Sequence, residues 1–400
     1  MIRQAYVAVR EKERRQYHVL LLGALALCLA AVGVAGWVWW EKRQLEREAL
    51  DALARLRQQD LQITQRMALG DDVSLAALEA QTAARLSAAR AYEGMVEELG
   101  VYRGLTEEEK LIYKVARIFN ESEFAIPGGF VEEVEGYIAQ WKRSSRFQTA
   151  VTHAEQMGYT PLVVRAMRER GLPPEFFYLG LQESNFDTRA VGPETRWGIA
   201  KGAWQFIPPT GEAYGLRPGP RAGERVFDPQ DERHDFGKAA QAAAAYLSDI
   251  YTQLTQASGL LAMASYNWGE HRVIGKMEDL PPPGFARARA AMAGLPAEPQ
   301  ERSYWRFLTT YRDRMPEETK GYVMNIFAAA VIGQNPRLFG IDLDPPLAKY
   351  LEAPLATLPD LPADTTAAPP AGPAASPFAE PDPPGADPPV RLGLDALPGR

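Results

Sequence analysis

The longest uncharged apolar stretch of the chain runs from Val19 to Trp40. Its 22 residues are enough to cross a bilayer as a helix, and the tryptophans at its end (Trp37, Trp39, Trp40) are typical of a membrane interface. The Lys/Arg excess precedes it, so residues 1–16 are expected in the cytoplasm and the body of the chain outside. The pattern predicts an uncleaved signal anchor at 17–40. A cleaved signal peptide is the alternative, and a buried core helix is disfavoured because the stretch has no polar face.

Apolar residues three to four positions apart follow this stretch and predict helices over most of 41–158. Leu45, Ala49, Leu56 and Ile63 approximate a seam, and the Gly-Asp-Asp at 70–72 breaks the helix. A helical hairpin that acts as a plain spacer is the expected structure. Dimerisation and partner binding are the alternatives for this region.

The body at 159–343 also has helical periodicity, and no strand alternation of useful length occurs in it. Gly and Pro residues mark the helix ends, and a Pro-rich segment after Lys276 is interpreted as an insertion. From Pro345 onward the chain has 15 of its 32 prolines, which predicts a disordered tail at 344–400. The fold class is therefore mainly α.

Glu183 lies in an apolar helical stretch that begins after the pair Pro173-Pro174, which suits the first turn of a helix. Leu179 and Phe186 fall on the same helical face as this carboxylate. Burial disfavours the ionised form, so the pattern predicts a raised pKa of Glu183, as a general acid requires. Taken alone, this pattern is explained better by an ordinary glutamate at the rim of a helix. Whether Glu183 is catalytic therefore depends on other parts of the chain.

Composition and charge exclude several kinds of function. The net charge of −7 gives no basic face for nucleic acid. The single cysteine, Cys28, and four scattered histidines provide no metal-ligand spacing. The acidic segment from Asp228 to Asp235 precedes an Ala-rich helix, so helix capping explains it better than a metal site. No metal and no cofactor are expected.

Five blocks of the body occur in the order found in the catalytic domain of lytic murein transglycosylases. They are Glu183-Ser184-x-Phe186, Gly202–Phe206, Asp231–Arg233, Ser265–Asn267 and Thr319-x-x-Tyr322. Over roughly 130–343 the chain resembles the soluble-lytic-transglycosylase (SLT) domain shared with the membrane-bound D type. A lone Glu-Ser pair has little weight, whereas five ordered blocks are specific. The resemblance implies a lysozyme-like (goose-type) all-helical catalytic domain after the anchor and the hairpin.

The resemblance also implies a reaction and a set of site residues. The enzyme would cleave the β-1,4 bond between N-acetylmuramic acid and N-acetylglucosamine in peptidoglycan and leave 1,6-anhydromuramic ends. Glu183 would act first as acid and then as base. Tyr322 would line the site and orient Glu183. Ser184, Gln205, Tyr266 and Asn267 would bind the glycan. A second carboxylate is missing, because Asp187 is expected one turn along the same helix; a single acid suits substrate-assisted chemistry.

The resemblance implies partners and a location as well. Peptidoglycan strands and the inner membrane are the expected partners, with proteins of cell-wall or division assemblies as further ones and no nucleic acid. A single-pass topology would place the N-terminus in the cytoplasm and the catalytic domain in the periplasm. A lysozyme-like hydrolase and an inactive glycan-binding scaffold are the alternatives.

Two departures from the family pattern concern the shape of the site. The segment between Ala190 and Trp204 is longer than usual, so that residues 194–197 form an insertion beside the site. Trp268 replaces a small residue after Tyr266-Asn267. These differences are expected to alter substrate preference more than the chemistry.

Overall fold

The computed structural model describes residues 2–68, 75–195, 197–255, 257–268, 303–311 and 316–361. The helix break at 70–72, the Pro-rich insertion after Lys276 and the tail beyond 361 lie outside these ranges. The mainly α, lysozyme-like fold class is confirmed. The helices are α1 Ile2–Ala68, α2 Leu75–Glu98, α3 Glu107–Ile118, α4 Phe130–Lys142, α5 Arg146–Gln156, α6 Tyr159–Glu169, α7 Phe177–Ser184, α8 Pro208–Ala213, α9 Phe236–Asp249, α10 Gly259–Trp268, α11 Tyr304–Tyr311, α12 Glu317–Gln334 and α13 Ala348–Leu351.

A two-stranded antiparallel hairpin interrupts the helices where the sequence predicted only an inserted loop. Strand β1 is Val191–Thr195 and strand β2 is Gly198–Lys201, with Thr195 opposite Gly198. Thr195 Oγ1 accepts from the backbone N–H of Trp197 at 3.2 Å and donates to the Gly198 carbonyl at 2.6 Å, which closes the turn. The strands are too short for an alternation of hydrophobic and polar residues to reveal them.

Helix α12 lies at the centre of the body. It is apolar on all sides, and its residues from Tyr322 to Gly333, apart from Asn325, are buried. It packs against α3, α4, α7 and α10. The resulting hydrophobic core is continuous from Ile112 in α3 to Leu358 near the end of the described chain.

This core corrects the domain boundary predicted at 158/159. Helices α3, α4 and α5 contribute Ile112, Val134 and Phe147 to the same core as the helices after residue 159. Because shared burial defines a folding unit, these three helices belong with the helices after residue 159. The body that shares this core therefore includes α3, which begins at Glu107.

Helix α1 is joined to the body without a linker. The part of α1 at Leu20–Thr64 is long enough, and in its most apolar window apolar enough, to cross a membrane, and that window is not buried by the protein. Its later part pairs with α2 as a hairpin and forms a small second core around Leu53 and Tyr92. Leu61 then enters the main core. The prediction of a plain spacer is wrong, because this half of α1 is a packed part of the body.

Part of the predicted disordered tail is also ordered. Residues 344–361 pack over α6 and α2, with Leu347, Leu355 and Leu358 buried. The backbone N–H of Leu355 donates to Glu79 on α2 at 3.1 Å. Proline content predicted disorder here, but three leucines bury enough apolar surface to hold the segment, so the prediction is wrong as far as residue 361.

Polar groups hold α1 to the body as well. Asp60 on α1 is fully buried, accepts from Arg85 Nε at 2.6 Å and accepts from Asn120 Nδ2 at 2.8 Å. Asn120 adopts a positive φ of 59° in the turn after α3 and also donates to the Tyr251 hydroxyl at 2.7 Å. One carboxylate thus links α1, α2 and the body.

The Asp60 contacts predict a specific loss of stability. Asp60→Ala would leave the buried Asn120 amide and the half-buried Arg85 guanidinium poorly paired, so it should lower the free energy of unfolding by about 3 kcal/mol. Asp51→Ala, on an exposed part of the same helix, should change it by less than about 0.5 kcal/mol. Denaturant unfolding of the detergent-solubilised chain, followed by tryptophan fluorescence, measures both. Equal effects of the two changes would contradict the interpretation.

Candidate functional site

The short helix α7 ends earlier than the sequence predicted. It stops at Ser184, and the next two residues, Asn185 and Phe186, adopt positive φ values of 58° and 64°. Phe186 folds back on the helix, where a Cβ on Gly180 would lie 3.0 Å from its ring. Asp187 is therefore not one turn further along the same helix, which corrects that expectation. Its exposed carboxylate accepts from the backbone N–H of Arg189 at 2.8 Å.

Glu183 lies in the last turn of α7 and is half-buried. The hydroxyl of Tyr322, from the central helix α12, donates to Glu183 Oε1 at 2.7 Å. Tyr322 itself is buried, so this donor has a fixed position. The carboxylate is thus held from behind while part of the residue remains accessible to a ligand.

Arg146 fixes the same end of α7, and no pattern in the sequence indicates this role. Its Nε donates to Asn185 Oδ1 at 2.7 Å, and its Nη2 lies 3.4 Å from the carbonyl oxygens of Leu181 and Gln182. The guanidinium lies over the Trp141 ring, 4.5 Å from its centroid. A cation at a helix C-terminus is favourable, but Arg146 comes from a distant helix, so only the tertiary structure reveals it.

The segment from Gly202 to Phe206 forms a tight turn next to α7. Gly202 has a φ of 78° and Gln205 a φ of 50°. A Cβ on Gly202 would lie 1.7 Å from the Arg233 carbonyl oxygen, so only glycine fits there. Gln205 Nε2 donates to the Gly202 carbonyl at 2.8 Å across the turn. The turn therefore presents a half-buried Gln205 between the buried aromatic residues Trp204 and Phe206.

Ser184 and Tyr266 brace this turn. Ser184 Oγ donates to the Ala203 carbonyl at 2.8 Å, and the Tyr266 hydroxyl donates to the Trp204 carbonyl at 2.9 Å. Tyr266 is 1% exposed and lies against the Tyr246 ring. The contact of Tyr266 with glycan stays a prediction, and in this structure the side chain packs in the core. Ser184 is also buried and commits its proton to the protein.

Asn267, the next residue along α10, is half-buried. Its Oδ1 accepts from Thr319 Oγ1 on α12 at 2.9 Å. This bond fixes which way the amide faces, and the Nδ2 group is left as the donor available to a ligand within the described part of the chain. Glu183 and Tyr322 are thus in direct contact, Asn267 is bonded to α12 one turn before Tyr322, and Tyr266 links α10 to the turn that carries Gln205.

A buried ion pair supports the turn from the other side. Arg233 Nη2 lies 2.6 Å from Asp231 Oδ2, and its Nη1 donates to the carbonyls of Ile199 at 2.7 Å and Phe206 at 3.1 Å. Burial works against the charge of Asp231, yet the Arg233 guanidinium keeps the pKa of that carboxyl below its usual range. As predicted, the acidic segment caps a helix, since Asp235 accepts from Lys238 N at 3.0 Å.

Glu232 of the same segment predicts a pH effect on stability. Hydrogen bonds from Arg217 and Lys238 lower the pKa of Glu232 to about 2. The folded pKa lies below the unfolded value, so the pairing stabilises the fold above pH 4.5 and is lost as the pH falls towards 2. Because Arg217 is largely exposed, the contribution should be about 1 kcal/mol or less.

Melting temperatures between pH 5 and pH 2 measure this effect. Glu232→Gln should flatten the pH dependence relative to the native chain, because the titrating partner is gone. Glu224→Gln removes an exposed ion pair with Arg221 nearby and should leave the dependence unchanged. Identical pH profiles for the native chain and Glu232→Gln would refute the assignment.

Comparison with known proteins supports the resemblance seen in the sequence. Residues 162–279 match the family model described as Transglycosylase SLT domain. Membrane-bound lytic murein transglycosylase D from Escherichia coli strain K12 and from Escherichia coli O6:H1 are each 28% identical to this chain over 185 residues. The alignment covers 46% of this chain and 33% of each relative. The chain thus spans about a third of the length of these curated relatives, and the predicted resemblance to an SLT-type, D-type-like protein is confirmed.

Proposed function

We propose that this chain, which carries an SLT transglycosylase domain, is a membrane-anchored lytic transglycosylase of peptidoglycan. The observation that carries the proposal is the half-buried Glu183 carboxylate with the Tyr322 hydroxyl 2.7 Å from its Oε1. Tyr322 lies outside the region matched by the family model, so this contact is support independent of that match.

The proposed reaction uses Glu183 twice. As an acid it gives its proton to the glycosidic oxygen between N-acetylmuramic acid and N-acetylglucosamine, and the C–O bond breaks. The substrate's own N-acetyl group stabilises the cationic carbon. As a base Glu183 then takes the proton of the muramic 6-hydroxyl, whose oxygen closes the 1,6-anhydro ring. The proton returns to Glu183, no water is consumed, and no second carboxylate is needed.

The other site residues divide into two groups in this proposal. Gln205 and Asn267 are half-buried amides at the edge of the site and would hold N-acetyl and hydroxyl groups of the glycan. Ser184 and Tyr266 would act through the backbone of the turn instead, because their hydroxyls donate to Ala203 and Trp204.

The membrane part of the proposal depends on α1. Its uncharged segment would cross the inner membrane once, with residues 1–16 in the cytoplasm. The catalytic body, from about residue 107 to 361, would then lie in the periplasm beside its polymer. The α1/α2 hairpin would connect the two.

The exchange Glu183→Gln tests the chemistry. It keeps the size of the side chain and removes the transferable proton, so release of 1,6-anhydromuropeptides from purified sacculi should fall by at least about 100-fold. Mass spectrometry of the digest measures this release. Glu155→Gln, on the surface of α5, is a matched control that should retain full activity.

Two outcomes would contradict the proposal. Reducing muramic ends in place of anhydro ends would indicate a lysozyme-like hydrolase. Binding to sacculi without any turnover by the native chain would indicate a scaffold that grips glycan.

The exchange Tyr322→Phe tests the orienting bond. It removes one hydrogen bond to the reacting carboxylate, so kcat should fall about tenfold while KM changes little. Steady-state kinetics on soluble glycan fragments separates the two constants. Tyr137→Phe removes a partly buried hydroxyl on α4 and should leave both constants unchanged. A rise in KM alone would mean that Tyr322 binds substrate and does not orient Glu183.

A further inference from the structure

We infer that Arg57 and Glu121 form a positioning pair that sets helix α10, and with it Asn267, against the anchor helix α1. Arg57 belongs to the anchor helix and Asn267 to the candidate glycan site, so the pair would make the membrane-proximal hairpin part of the substrate-binding machinery. The inference rests on the proposed function, since it concerns the affinity of the same site.

The turn after α3 provides the first support. The backbone N–H of Gly259, the first residue of α10, donates to the Phe119 carbonyl at 2.9 Å. The approach is so close that a Cβ on Gly259 would lie 2.6 Å from the Phe119 ring. The beginning of α10 is therefore pressed directly onto the chain between Phe119 and Glu121.

Glu121 provides the second support for the positioning pair. It is fully buried and accepts hydrogen bonds from the Ser258 hydroxyl and from the backbone N–H of Tyr304, the latter at 3.1 Å. Ser258 Oγ in turn accepts from Leu261 N at 3.2 Å, in the first turn of α10. A single carboxylate thus holds the starts of two helices, α10 and α11.

Arg57 completes the arrangement from α1. It is 1% exposed, its Nη2 lies 3.5 Å from Glu121 Oε2, and its Nε donates to the Asn120 carbonyl at 2.7 Å. Burial raises the pKa of Glu121 to about 7, and the guanidinium of Arg57 opposes that rise. Arg57 is the one cation paired with Glu121 among the described residues. A buried carboxylate without its cation would shift or protonate, and the groups that it holds would move with it.

Helix α10 carries such a shift to the site. Asn267 lies eight residues after Gly259, about 12 Å along a rigid helix. Tyr266 beside it donates to the Trp204 carbonyl, next to Gln205. A displaced α10 would therefore move both glycan-binding amides. Glu183 and Tyr322 lie on α7 and α12, so the proton transfer itself should be less affected.

A double-mutant cycle tests the inference. In the full-length, detergent-solubilised chain, Arg57→Gln should raise KM for soluble glycan fragments about tenfold and leave kcat within about twofold. Asn267→Ala should raise KM by itself, and adding Arg57→Gln to it should raise KM further by clearly less than tenfold, because part of the effect of the pair passes through Asn267. Fully additive effects on KM, or no effect of Arg57→Gln, would overturn the inference.

A control separates positioning from general loss of stability. Leu53→Ala weakens the α1/α2 packing around Tyr92 without touching Glu121. It should lower the melting temperature while KM stays at the native value. An equal rise in KM for Leu53→Ala would show that any damage to the hairpin affects the site. If Arg57→Gln does not fold, Ser258→Ala cuts the same connection on its other side and should give the same rise in KM.

Binding measurements keep this test apart from the proposed function. The same cycle is repeated in a Glu183→Gln background with glycan dissociation constants from calorimetry, which need no turnover. Absence of turnover in the native chain would defeat the proposed activity alone. Additive effects of Arg57→Gln and Asn267→Ala on the binding free energy, measured in the Glu183→Gln background, would overturn the positioning pair and leave the proposed activity untouched.

Discussion

The structure depends on the pairing of carboxylates that an apolar helical body buries. A buried charge is tolerated only when a cation or several hydrogen-bond donors accompany it. Asp60, Glu121 and Glu123 meet this condition with donors from distant parts of the chain, among them Arg85, Arg57 and the Tyr92 hydroxyl. The pairs of Glu121 and Glu123 join the α1/α2 hairpin to the body, and Asp60 does so through its hydrogen bond from Asn120. Apolar packing alone would leave these helices free to slide, whereas the polar contacts fix one arrangement.

The candidate site follows the same principle at its edge. Glu183 is neither fully buried nor free in solvent: Tyr322 holds it from the central helix, and Arg146 fixes the end of its own helix through Asn185. The turn at Gln205 is fixed on one face by Ser184 and Tyr266 and on the other by Arg233. The groups proposed to touch glycan are few, and the groups that hold them are buried.

The sequence was sufficient for features that depend on local pattern. Helical periodicity is determined by neighbouring residues, and the structure contains the predicted helices, among them α3, which begins with a capping box between Thr106 and Glu109. The sequence was insufficient for features that depend on contacts between residues far apart in the chain. Tyr266 could be assigned to the site or to the core only by knowing that the Trp204 carbonyl lies within its reach. Arg57 resembled any charged residue on a helix, and the leucines after 344 could not be matched to the surfaces of α2 and α6 that they cover.

Because α1 is one unbroken helix, it limits how far the candidate site can move relative to the proposed membrane segment. The first fully buried residue of the helix, Ala49, follows Trp40 by nine residues, which is about 14 Å of helix. A flexible tether would let the body sample a hemisphere whose radius grows with the length of the linker. A helix that is packed into the body allows no such sampling. With α1 inserted in the membrane as proposed, the height of Glu183 above the lipid is set by geometry, and its search becomes diffusion in two dimensions.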